Sequence, residues 1–139
     1  RCYATSDGRW LSVQCLEPRF YDVFLRTLGV AGDDAFAQDP DPNAWDALAE
    51  RIAALIARRP LSEWSDIFDG TDACVAPVLG PAEAAAHPHA AARGTWIEVD
   101  GQMQARPAPR FDGLRPADPR PAPTRGEHTA EILASLATQ

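Results

Sequence analysis

Glu17 lies at the corner of "WLSVQCLEPRFYDVFLRTLG", Trp10 to Gly29, where strand-like alternation gives way to helical spacing. The residue before a helix is normally Ser, Thr, Asp or Asn, whose short side chains reach the free backbone N–H groups; Glu suits that task poorly. At a strand-to-helix corner a side chain commonly projects into a cleft, and the positive end of the helix favours an ionised carboxylate there. The plainer alternative is a solvent-facing carboxylate beside a helix dipole. Other candidates are weaker. His87 and His89 flank Pro88 without the further ligands a metal needs, so they read as polar residues around a helix start, with no metal site. Cys74 sits in the apolar run "DACVAPVLG" without a neighbouring histidine or positive helix end, and reads as a small core residue rather than an activated thiolate. His128 follows Glu127 near the C-terminus and reads as a surface or docking contact.

The surrounding chain limits what such groups can serve. Its 139 residues have the length of one domain, with 45% hydrophobic and 24% charged residues, a globular composition. The net charge is −7 and all thirteen basic residues are arginine, so sequence-independent nucleic-acid binding is not expected. Cys2, Cys15 and Cys74 are odd in number and widely spaced, which suits free thiols in a cytoplasmic protein. No apolar run reaches the roughly twenty residues needed to cross a bilayer, and no signal-peptide pattern is present. The chain starts at Arg1-Cys2-Tyr3, without Met, as expected of a processed or excised piece.

Two Asp-Gly pairs, Asp7-Gly8 and Asp100-Gly101, each separate short extended runs and predict two hairpins. With Asp7 and Gly8 as a two-residue loop, Cys2, Ala4, Leu11, Val13 and Cys15 share one apolar face, and the two cysteines lie about 7–8 Å apart as diagonal neighbours. Pro18 begins and Gly29 ends a helix with Phe20, Tyr21, Phe24, Leu25 and Leu28 toward the core. Asn43 is placed to cap a second helix with a stripe of Trp45, Leu48, Ile52, Leu55 and Ile56, and Ser62 to open a third using Trp64, Ile67 and Phe68. Pro81 and Pro88 start two short alanine-rich pieces. Six prolines between Pro107 and Pro123 make a connector, followed by a terminal helix with Ile132, Leu133 and Leu136 on one side. The fold class is α+β: packed helices, two hairpins that could join in one small antiparallel sheet, an extended proline-rich tail and a terminal helix.

"SDGRWLSVQCLEPRFYDVFLRTLG", Trp64 leading to "DACVAPVL", "HPHAAARG", "PAPRF" and "GEHTAEIL" occur in this order, and together they resemble the class III CoA-transferase superfamily, in particular its α-methylacyl-CoA racemase branch. Members are more than twice as long, and the likeness falls on their C-terminal portion. The resemblance therefore implies a small C-terminal domain over residues 1–111, and a connector and terminal helix over 112–139 that return to a large domain absent from this chain. It implies epimerisation of 2-methylacyl-CoA thioesters by proton removal and return through an enolate, using a His and an Asp of that large domain. Glu17 matches the glutamate that hydrogen-bonds the catalytic histidine, and Leu16 an apolar position lining the acyl pocket. An ionised carboxylate at Glu17 would favour the imidazolium and fix the ring. The family's interlocked homodimer would make Glu17 act in trans. Acyl-CoA is expected as substrate, with no cofactor, and the chain alone as inactive. The alternatives are a class III CoA-transferase, working through an aspartyl anhydride formed in the absent domain, and a non-catalytic assembly module. A carboxylate turned away from any cleft and locked to an arginine of its own domain would defeat the role given to Glu17.

Overall fold

The computed structural model describes residues 1–38 and 41–137, which divide into two compact units, Arg1–Leu79 and Gly80–Gln139. In the first unit, β1 (Cys2–Ala4) and β2 (Trp10–Val13) form an antiparallel hairpin, and α1 (Pro18–Leu28) follows the Glu17 corner. Two short 3₁₀ turns lead to α2 (Trp45–Ile56), α3 (Leu61–Phe68) and β3 (Val75–Pro77). β3 pairs antiparallel with the free edge of β2, giving a sheet of order β1-β2-β3.

The first hairpin is one residue out of the expected register. Tyr3 stands opposite Leu11 and Ala4 opposite Trp10, so the loop has three residues, Ser6, Asp7 and Gly8. Only Gly8 of these takes a positive φ, +73°. A slip of one position turns every side chain of a strand over. Accordingly Tyr3 and Thr5 are buried with Leu11, Val13 and Cys15, whereas Cys2 and Ala4 are exposed; Cys2 and Cys15 are free thiols on opposite faces. The reason lies across the fold. Ser6 donates its N–H to the Arg59 carbonyl at 3.0 Å, and the Asp7 carboxylate accepts the Leu61 N–H, with both oxygens at 3.3 Å. The loop thus clasps the corner between α2 and α3 and supplies the cap that α3 lacks locally. That helix starts at Leu61, not Ser62.

The helices bury the faces their spacing predicts. Tyr21 and Phe24 of α1, Ala49, Ile52 and Ile56 of α2, and Leu61, Trp64 and Phe68 of α3 meet Leu11 and Val13 in one cluster. Phe24, fully buried, stacks on Phe68 with ring centres 5.8 Å apart, and the Trp64 Nε1–H donates to the Ile56 carbonyl at 2.7 Å. Burying a ring of this size contributes about 1.5–3 kcal/mol. Two expectations fail here. Asp41, not Asn43, caps the turn before α2, accepting the Asn43 N–H at 3.0 Å, and Trp45 is half-exposed at the start of the helix rather than part of its buried stripe. Cys74 is exposed with φ +51°, because its carbonyl turns to accept the Gln14 N–H; the core position in this run is Ala73.

In the second unit α4 (Pro81–Ala86) and α5 (Pro88–Arg93) precede the hairpin β4 (Trp96–Val99) and β5 (Gln102–Ala105), and α6 (Thr129–Leu136) comes last. Asp100 and Gly101 both have positive φ, +51° and +71°, the two-residue turn the sequence predicts. This hairpin is a sheet of its own and does not join the first, whose open edge β3 has taken. A further Asp-Gly turn, Asp112-Gly113 with φ +51° and +76°, is closed by a bridge between Phe111 and Leu114. The dipeptide is the local signal for this turn within the proline-rich stretch. Ile132, Leu133 and Leu136 of α6 are exposed.

Candidate functional site

Glu17 occupies the position before α1 with extended backbone, φ −80° and ψ 142°, and its side chain caps nothing. Its carbonyl, not its carboxylate, receives the Phe20 and Tyr21 N–H groups, both at 3.0 Å. Pro18, at the first helical position, has no N–H to satisfy, so the corner forms without a side-chain cap. The carboxylate is therefore released from the usual task of its position. It is 63% exposed, and Oε2 lies 3.6 Å from Arg19 Nη2, too far for a hydrogen bond. Arg19 is held instead over the Phe20 ring, 4.2 Å from its centre. The pair is loose and solvent-screened, worth little, and leaves the carboxylate able to turn to a stronger partner.

Beside this corner a cavity of about 550 Å³ opens among β1, β2, α1 and α2. Tyr3, Val13, Cys15, Tyr21 and Ile52 line it, and Leu16, 85% exposed, stands at its edge. Of the two residues singled out by sequence, Leu16 borders the cavity and Glu17, the next residue, is not part of its lining. Arg1 also borders the cavity, its guanidinium turned to Asp46 at 2.7 Å, and the titratable groups of the inner wall are neutral at ordinary pH. Burial pushes the Cys15 thiol up, and burial, aided by Cys15 and Tyr3, pushes the Tyr21 phenol up to about 12. The Tyr21 hydroxyl donates to the Phe36 carbonyl at 2.7 Å, which fixes the ring. Tyr3, Cys15 and Tyr21 were not singled out as wall residues, since only the correct hairpin register turns Tyr3 inward.

The histidines belong to the second unit. His87 Nδ1 accepts the His89 N–H at 3.3 Å and so caps α5, as residues around a helix start should. His128 precedes α6 and its Nδ1 lies 3.3 Å from Glu131 Oε2. Among the described residues no group of three or more His, Cys, Asp or Glu side chains gathers as a metal ion requires, and no helix is long and apolar enough to cross a membrane.

A small three-stranded sheet packed by helices, a separate hairpin and a proline-rich tail define an α+β fold, and solved structures share it. Rv3272 from Mycobacterium tuberculosis superposes with a TM-score of 0.71 at 18% identity, over 94% of this chain and 38% of that one. The family model for CoA-transferase family III matches residues 1–129, and the chain belongs to that family. It is 38% identical to the alpha-methylacyl-CoA racemase of Homo sapiens over 134 residues, covering 94% of this chain and 35% of the relative. It is 30% identical to the acetyl-CoA:oxalate CoA-transferase of Acetobacter aceti over 110 residues, 78% of this chain and 28% of the relative. The chain thus spans about a third of the length of these curated relatives.

Proposed function

We propose that this chain is the C-terminal part of an α-methylacyl-CoA racemase, and that Glu17 orients and charges a histidine base supplied by a large domain beyond it. One observation carries the reading: the Glu17 carboxylate is unused by its own helix and only loosely held by Arg19, and it follows directly on Leu16, which edges the cavity. The identity to the human racemase supports the same branch. In this reaction the bond between hydrogen and the carbon next to the thioester breaks, its electron pair entering an enolate while a base takes the proton. An acid on the opposite face then returns a proton and inverts the centre. Glu17 would hold the imidazole ring and stabilise its cation, and Leu16 would meet the acyl chain. Acyl-CoA is the substrate, no cofactor takes part, and the division after Phe111 marks where the tail leaves for the large domain. In a cytoplasmic homodimer Glu17 would act on the partner's site.

The full-length protein tests this. With a 2-methylacyl-CoA in D2O, Glu17→Gln should slow α-proton exchange about 10- to 100-fold while leaving thioester binding nearly unchanged. The 139-residue chain alone should exchange nothing, since neither base is present. Unchanged exchange in the variant removes Glu17 from the mechanism. The 30% identity to the oxalate transferase favours a second reading, CoA transfer to a carboxylate. Steady transfer of CoA to an added carboxylate without α-proton exchange would establish it.

A further inference from the structure

Arg106, Arg110 and Arg115 converge on the C-terminal end of α5, within the second unit. The local chain arranges this. Arg106 directly follows β5, where its N–H donates to the Thr95 carbonyl at 2.8 Å, next to Gly94. The Asp112-Gly113 turn then doubles the chain back, so Arg115 arrives beside Arg106. Arg110 donates from Nη2 to the carbonyl of Arg93. Gly94, with φ +58°, bares its α-carbon to the group: a Cβ there would lie 2.9 Å from Arg106 Nη1 and 3.1 Å from Arg115 Nη1. Two guanidinium heads therefore share one small volume.

Their charge is under-compensated. Asp118 is the carboxylate at hand, 2.9 Å from Arg106 Nε. That N–H does not point at the oxygen, and Nε is buried without a hydrogen bond; the pair's hydrogen bond is the long one from Nη2 to Asp118 Oδ2 at 3.4 Å. Arg115 has no carboxylate partner among the described residues. A helix C-terminus attracts cations, which accounts for Arg110 at the Arg93 carbonyl. It does not account for two further guanidiniums over the α-carbon of Gly94. Three arginines against one aspartate leave two positive charges, matching the roughly −1.5 to −2 of a phosphate monoester.

We propose that Arg106 and Arg115, assisted by Arg110, form a binding site for a phosphate group in front of Gly94, one that rests on this arginine geometry alone and stands apart from the role of Glu17. The forked guanidinium suits such an oxyanion, offering paired N–H donors to its oxygens. The phosphate could be free or carried by a nucleotide.

The test is titration of the ¹⁵N-labelled chain with inorganic phosphate and, separately, with adenosine 3′,5′-bisphosphate, following the Gly94 amide and arginine Nε–H signals, with chloride at equal ionic strength as control. Saturable shifts at Gly94 and Arg106 are expected. Arg115→Gln should weaken them about tenfold, the loss of one hydrogen-bonded charge, with the remaining amide spectrum unchanged because Arg115 is exposed. Arg106→Gln should do at least as much. Tenfold tighter binding of the bisphosphate assigns a nucleotide-borne phosphate; equal affinities assign the free ion. Shifts no larger than chloride gives, or an Arg115→Gln chain that titrates like the parent, overturn the site.

Discussion

The consequences of single side chains here depend on what burial does to their protons. Tyr21 keeps its hydroxyl on the Phe36 carbonyl inside an apolar wall, and its folded-state pKa rises to about 12 from an ordinary value near 10. The folded protein thus binds that proton more tightly than the unfolded chain. The resulting stability is fully present below about pH 10 and is lost as pH rises toward 12, a loss on the order of 2 kcal/mol. Chemical denaturation at pH 8, 10 and 11.5 should show this fall, and Tyr21→Phe should flatten it, leaving the smaller part due to Tyr3, which burial also shifts upward. At neutral pH the same variant should cost about 1 kcal/mol, because the Phe36 carbonyl loses its donor. A parent protein equally stable at pH 8 and 11.5 would contradict a buried, protonated Tyr21. Glu17 is the opposite kind of residue: exposed and uncommitted, it contributes little to folding and remains available for another group.

At the scale of elements, the hairpin loop and α3 hold each other in place. Asp7 joins them, since its carboxylate accepts from the Thr5 hydroxyl and from the Leu61 N–H, and these bonds, the Thr5 bond foremost, lower its pKa. That contribution is present above the ordinary carboxylate range and disappears as pH falls through the lowered folded value. Asp7→Ala should therefore lower Tm at pH 7 and show a shallower loss of stability below pH 4 than the parent; identical Tm values would mean the clasp is idle. The helices themselves were readable because Pro18, Gly29 and the 3.6-residue spacing act within a few positions of the residues they affect. Their starts were less so. Asp41 caps the 3₁₀ turn that runs into α2 rather than α2 itself, and the cap of α3 comes from a loop 54 positions away that leaves no mark beside the helix.

In the whole molecule, core and function are unevenly divided. The buried apolar cluster lies within Arg1–Leu79, whereas among the described residues of the second unit the buried hydrophobic is Ile97. A protein of residues 1–79 alone should thus unfold cooperatively by circular dichroism, while residues 80–139 alone should melt without a sharp transition. A broad melt of the first piece would show that its core needs the rest. The candidate site is likewise only half furnished. Leu16 and Glu17 could be named from sequence because the strand-to-helix corner is local and the family resemblance covers it. The cavity behind them could not, because its wall joins Tyr3, Tyr21 and Ile52 from three elements.

Of the four Asp-Gly pairs in the chain, those at 7–8 and at 100–101 each lie between two strands, alike in composition. By itself the dipeptide determined that both places turn, since glycine enters positive φ without steric cost and aspartate tolerates it. Which turn forms was decided elsewhere. At Asp100-Gly101 no tertiary bond to the loop intervenes among the described contacts, and both residues adopt positive φ as the local preference dictates. At Asp7-Gly8 the bonds to Arg59 and Leu61 draw the loop to three residues, which shifts the strand by one position and turns Tyr3 inward to line the cavity. Local sterics can be read along the chain; a hydrogen bond between residues fifty positions apart exists only once the chain has folded.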